Sequence, residues 1–122
     1  MYKENILDHY ESPRNYGNIE NADAKAHDSN PLCGDEFDFE FIIKDDIIVD
    51  VKFHGHGCAI STASASMLTE KIIRRPAEDI KKLDEKDVKE MLGIELSHVR
   101  IKCAMLPLKI VKLGVYEFLG KK

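Results

Sequence analysis

Asp35-Glu36-Phe37-Asp38-Phe39-Glu40-Phe41-Ile42-Ile43, followed by Lys44-Asp45-Asp46 and then Ile47-Ile48-Val49-Asp50-Val51-Lys52-Phe53, is the stretch on which the fold turns. Phe37, Phe39 and Phe41 alternate with Glu36, Asp38 and Glu40, and a period of two is that of a strand with one dry and one wet face. Ile47 to Phe53 alternates again, with Val49, Val51 and Phe53 on one side and Ile48, Asp50 and Lys52 on the other. Two such strands joined by a short polar turn predict an antiparallel hairpin. An earlier strand near Ala22–Ser29 is more weakly signalled.

Helices flank the hairpin. Tyr2, Ile6, Leu7 and Tyr10 fit a short amphipathic helix that Ser12-Pro13-Arg14-Asn15-Tyr16-Gly17-Asn18 ends. Ala59 to Arg74 is rich in small residues, with apolar positions at Ile60, Met67, Leu68, Ile72 and Ile73. The spacing predicts a helix approaching the sheet closely on its small face. Pro76 opens a further short helix, and another spans about Asp84–Leu92 and stops at Gly93. From Cys103 to Leu119, the residues Leu106, Ile110, Leu113, Tyr116 and Phe118 follow helical spacing, with Pro107 expected near the first turn. Strands precede most helices. The expected class is therefore α+β, a small antiparallel sheet of about three strands with helices on one face.

The 122 residues fit one domain, residues 1–122, with no repeat or low-complexity linker. Hydrophobic residues make up 43% and charged residues 33%, which excludes a disordered polymer and a membrane-spanning chain. With 18 basic against 22 acidic residues, the net charge is −4, so nucleic acid is not an expected partner. Met1-Tyr2-Lys3-Glu4-Asn5 is not the opening of a signal peptide, and the expected compartment is the cytoplasm.

Three cysteines argue against a disulfide framework and for free thiols, metal ligands or reactive sulfur. Cys33 lies in a turn before a strand. Cys58 ends Gly55-His56-Gly57 immediately before a helix, and Cys103 is expected at the start of the last helix. A helix N-terminus favours a thiolate, so two of the three have a local reason for reactivity; buried structural cysteines are the alternative. Asp35 can offer an oxygen beside Cys33, or simply bond its own turn. Should the three thiols converge with it, the set suits zinc or an iron–sulfur cluster, and the hard carboxylate would make a cluster labile. Lys102, next to Cys103, and Arg100 could stabilise anionic sulfur or be solvated charges. His54 and His56 compete between ligand and polar loop; His9 and His98 read as structural or surface groups. Arg74-Arg75 and Lys81-Lys82 read as solvated faces, with docking to an acidic partner as the minority reading. Gly55-x-Gly57 without a following Gly-Lys-Ser/Thr is not a nucleotide loop.

Several of these motifs in this order resemble the IscU/NifU N-terminal family of iron–sulfur cluster assembly scaffolds. They are Asp8-His9-Tyr10 with Ser12-Pro13-Arg14-Asn15-Tyr16-Gly17, Asn30-Pro31-Leu32-Cys33-Gly34-Asp35, Gly55-His56-Gly57-Cys58-Ala59-Ile60-Ser61, Ala63-Ser64-Ala65-Ser66, and Lys102-Cys103. The resemblance implies that the three cysteines meet at one end of the sheet. It further implies that Cys33, Asp35, Cys58 and Cys103 bind a transient [2Fe-2S] cluster, iron or zinc. Cys103 matches the position that receives persulfide sulfur from a cysteine desulfurase. Apo iron–sulfur proteins are the implied recipients, with the cluster held in one chain or shared by a homodimer.

Two departures follow. Lys102 stands where IscU has histidine, as in the SufU branch, yet the 44 residues between Cys58 and Cys103 are too few for the segment SufU carries there. Leu96-Ser97-His98-Val99-Arg100 lacks the prolines of the chaperone-binding motif, which speaks against a dedicated Hsp70-type partner. A scaffold is the leading expectation, a zinc-dependent sulfurtransferase of SufU type the second, and a purely structural zinc protein the third.

Overall fold

The computed structural model describes residues 3–31 and 33–121. Tyr2 of the first helical pattern and Leu32 of the first cysteine turn lie outside them. The order is α1 (Glu4–Glu11), β1 (Ala24–Asn30), β2 (Asp35–Lys44), β3 (Ile47–His56), α2 (Ala59–Ile72), α3 (Ala77–Ile80), α4 (Glu85–Leu92) and α5 (His98–Gly120). The strands form one antiparallel sheet in the order β1-β2-β3. Its inner face is aromatic: Phe39 stacks on Phe53 at 5.6 Å between ring centres, and Phe37 meets Phe53 edge-on at 5.8 Å. The α+β class and the hairpin are as the sequence predicts.

The phase of β3 is not. Phe41 faces Val51 and Ile42 faces Asp50, but Ile43 faces Ile48, so Val49 is the extra residue of a β-bulge. Phe53, Val51 and Ile48 are buried, whereas Val49 is 45% exposed. An uninterrupted period of two would have put Val49 inside and Ile48 outside.

The β3 edge is covered at two places. Gly17 N–H donates to the Phe53 carbonyl and Phe53 N–H to that of Asn15, while Ile48 and Arg74–Arg75 exchange two further bonds. An edge so paired is closed to other strands. The Ser12–Gly17 motif is also pinned to α2. Ser66 Oγ accepts from Arg14 N–H at 2.8 Å and lies 2.7 Å from His9 Nδ1, and Asn15 Nδ2 donates to Thr69 Oγ1 at 3.0 Å. His9 is therefore structural. Its burial holds the imidazole pKa below the ordinary value, and the Arg14 charge adds to this. Leu7 and Tyr10 are more exposed than the amphipathic pattern suggests, leaving Ile6 as the buried anchor of α1.

Helix α2 is buried on nearly every side, Ala63 to Thr69 without a break, because its small residues let α1, α5 and the sheet close on it. Ser64 Oγ donates to the Ala104 carbonyl of α5 at 2.7 Å. Gly114 lets α5 press on the sheet, since a Cβ there would stand 2.7 Å from the Phe41 ring. Among the described residues no helix is long and apolar enough to cross a membrane.

The last helix begins earlier than its apolar spacing implies. Ser97 caps it, accepting from Arg100 N–H, so it starts at His98 and Cys103 lies in its second turn. Pro107 is consequently an interior, buried proline, and it provides no N–H for the Cys103 carbonyl four residues before it. Leu113 and Tyr116 are exposed, contrary to the apolar set; Leu106 and Ile110 are buried.

Candidate metal centre

Four segments meet at the end of the sheet where β2 starts. The turn that carries Cys33 is closed by bonds from Cys33 and Gly34 N–H to the Asn30 carbonyl, with Gly34 at φ +73°. Such a φ suits glycine, and it turns the chain back into β2 immediately after the cysteine. Asp35 is the first residue of β2, and its side chain points inward with the phenylalanines. Cys58 is the N-cap of α2, and Cys103 comes from α5.

The donor atoms of Cys33, Asp35 and Cys103 all lie within 4.8 Å of one another. The Cys103 thiol donates to Cys33 Sγ at 3.2 Å across 70 residues of sequence. Asp35 Oδ1 accepts the Cys58 N–H at 2.9 Å, while Oδ2 is buried with no hydrogen-bond partner. A buried carboxylate oxygen without a partner is costly, and a cation is one way to satisfy it. Two thiols and this oxygen are the donor types that bind zinc and iron. The residues therefore fit a metal ion.

Cys58 adjoins the group differently. Its Sγ accepts the Ser61 N–H at 3.4 Å and lies 3.6 Å from Ser61 Oγ, so the sulfur is held at the helix N-terminus. The helix-start argument holds for Cys58 and fails for Cys103. Cys103 is fully buried, and that burial, with the bond to Cys33 and the nearby Cys58 and Asp35, pushes its pKa up. Cys33 is only half-buried, and it borders a cleft of about 100 Å³ with Asn30, His98, Val99 and Lys102. Lys102 is thus on the open side of Cys33.

The two glycines before Cys58 serve close approach. A Cβ at Gly57 would collide with Ser61 Oγ and stand 2.9 Å from both Asp35 Oδ1 and the Phe37 ring. At Gly55, with φ +134°, a Cβ would run into the backbone of Glu36 and Phe37. The packing role of Gly57 and the cap that Cys58 Sγ makes on the Ser61 N–H are missing from the sequence reading; a cysteine directly before the small-residue helix is the signal that would have pointed to the second. His54 and His56 do not join the group within 4.8 Å.

This arrangement has relatives. The NifU-like N-terminal domain family matches residues 1–122. The iron–sulfur cluster assembly scaffold protein IscU of Aquifex aeolicus is 36% identical over 123 residues, covering 99% of this chain and 78% of that protein. The zinc-dependent sulfurtransferase SufU of Bacillus subtilis is 35% identical over 132 positions, covering 94% of this chain and 89% of that protein. Its alignment is longer than this chain, so SufU has residues without counterpart here. A crystal structure of a putative scaffold protein for the SUF system from Fervidobacterium islandicum superposes with a TM-score of 0.80 at 34% identity, covering 93% of this chain and 96% of that one. With its cysteines gathered at one end of a three-stranded sheet, the chain belongs to the NifU-like N-terminal domain family, whose IscU and SufU relatives are named for iron–sulfur cluster assembly and sulfur transfer.

Proposed function

We propose that this protein is a scaffold that assembles a labile [2Fe-2S] cluster on Cys33, Asp35, Cys58 and Cys103 and delivers it to apo-proteins. The observation that carries the reading is Asp35, whose carboxylate lies within 4.8 Å of two sulfurs and whose Oδ2 is buried and unpartnered. One hard oxygen among soft sulfurs gives the cargo its weakest attachment, which suits a carrier. Sulfur arrives from a cysteine desulfurase. The sulfur of Cys103, losing its proton in the step, attacks the outer sulfur of the donor's persulfide; an S–S bond forms on Cys103, the donor's S–S bond breaks, and the departing donor cysteine takes up the proton as a thiol. Two electrons from an external reductant then release that sulfur as sulfide.

A second reading has a specific support. Three thiolates and a carboxylate also suit tetrahedral zinc, and a relative at 35% identity is named a zinc-dependent sulfurtransferase. In that reading zinc orders the site, and a cysteine relays sulfur without building a cluster.

The test is anaerobic assembly on metal-stripped protein with ferrous iron, cysteine, a reductant and a cysteine desulfurase, followed by visible absorbance and acid-labile sulfide, with apo-ferredoxin added last. Cluster formation and transfer, both lost in Cys103→Ser, are expected. Persulfide on the protein without any cluster would assign it to the sulfurtransferase class.

A further inference from the structure

The outer face of the sheet carries a row of a different kind. His27 on β1 pairs in register with Asp38 on β2, and Asp38 with His54 on β3, so the three side chains stand in line across all three strands. Each imidazole presents Nδ1 to one oxygen of the same carboxylate: His27 at 3.0 Å from Oδ1, His54 at 3.8 Å from Oδ2. The other ring nitrogen of each faces a second carboxylate. His27 Nε2 is 3.4 Å from Glu36 Oε2, and His54 Nε2 is 3.9 Å from Glu40 Oε2.

We infer that His27, Asp38 and His54 form a second metal site, for a divalent first-row transition cation, separate from the cysteine centre. Two arguments support it. Imidazole nitrogens with one carboxylate are a donor set for zinc, nickel, cobalt or ferrous iron rather than for magnesium or calcium. The backing carboxylates are what metal-ligating histidines use to fix the ring and raise its basicity, and here both rings have one. Strands lie about 4.8 Å apart, so the backbones of His27 and His54 are separated by roughly 10 Å, a span that two imidazoles bridge onto an ion above Asp38. The donor atoms of the three do not all lie within 4.8 Å of one another as the rings stand, so an ion must draw the imidazoles in; side chains 49% and 33% exposed leave both rings room to turn toward it and leave positions for water. Asp38 lies three residues along β2 from Asp35 and on the opposite face, so the site does not share donors with the cysteine centre.

The test is a cobalt(II) titration of the reduced full chain under anaerobic conditions, wild type against His27→Gln/His54→Gln, with circular dichroism and melting to confirm that both are folded. Thiolate-bound cobalt absorbs through sulfur-to-metal charge transfer, and imidazole-bound cobalt does not. Wild type is expected to take two equivalents, only one of which brings the charge-transfer band. The double variant should keep that band and bind the other equivalent about a hundredfold more weakly. Glu36→Gln/Glu40→Gln should weaken it about tenfold, as lost outer carboxylates do. An unchanged second equivalent in the double variant, or a wild type that binds at the thiolates alone, would overturn the inference and leave the row as an ion-pair ladder. A histidine-dependent equivalent with no charge-transfer band at all would uphold it and count instead against the scaffold reading.

Discussion

The backbone amide of Cys58 donates to Oδ1 of Asp35 at 2.9 Å, so the carboxylate both ties the second cysteine to the first strand turn and keeps its other oxygen in reserve. The two roles separate by mutation. Asp35→Asn retains an oxygen for the amide and should fold with a melting temperature near that of wild type. It removes the charge, so zinc or iron binding should fall by more than the roughly 10–100-fold typical of losing an outer-shell partner. Equal affinity, measured by competition with a chelator, would remove Asp35 from the ligand set.

Asp35→Cys changes the same position in the other direction. A fourth soft donor should hold a reconstituted cluster longer and slow its transfer to apo-ferredoxin. Transfer at the wild-type rate would show that the carboxylate is not the point of release.

Gly57→Ala adds one methyl group where Ser61, Asp35 and Phe37 already close around the backbone. Overpacking of this kind costs about 1–3 kcal/mol, and it should weaken metal binding as well, because Ser61 Oγ beside Cys58 must move first and Asp35 Oδ1 must give way with it. Urea unfolding combined with a zinc competition assay checks both effects.

His9 gives a pH dependence of known sign. Its folded pKa lies below the ordinary imidazole value, because it is buried and beside Arg14, with Glu70 and Asp8 opposing in part. Between those two values the unfolded state binds more protons, so the contribution to stability is complete above about pH 6.5 and is lost as pH falls through the folded pKa. His9→Asn, which cannot titrate, should show a flatter loss of melting temperature from pH 7 to pH 5. Parallel curves would place the acid sensitivity elsewhere.

The bulge makes neighbours behave oppositely. Ile48→Ala should cost about 2–5 kcal/mol, as a buried large-to-small change does, and Val49→Ala within about 0.5 kcal/mol. The reverse order would restore an uninterrupted strand.

That comparison also shows what the sequence could and could not disclose. Phe37, Phe39 and Phe41 have no competing reading, because helical spacing would scatter three rings around a cylinder. Ile47-Ile48-Val49 offers an apolar residue at every step, so periodicity alone cannot tell which one is skipped. The helix start is hidden for a related reason: the run from Ser97 to Lys102 carries a cap but no buried position, and the apolar spacing begins only at Cys103. At the site, the local context of Cys33, Asp35, Cys58 and Cys103 and the family resemblance of their motifs marked them as candidates. Their vertical order, with Cys103 beneath Cys33, depends on helix packing that no local pattern encodes.

Pro107 bears on how a thiol so deeply placed could be offered to a donor. An ordinary helix must break a backbone hydrogen bond to swing one turn outward. In α5 the bond to the Cys103 carbonyl is missing from the outset, because the residue that would supply it is an imino acid. The turn that carries Cys103 is therefore the slack link of an otherwise continuous helix, and it can flex toward the surface with one fewer restraint than its neighbours.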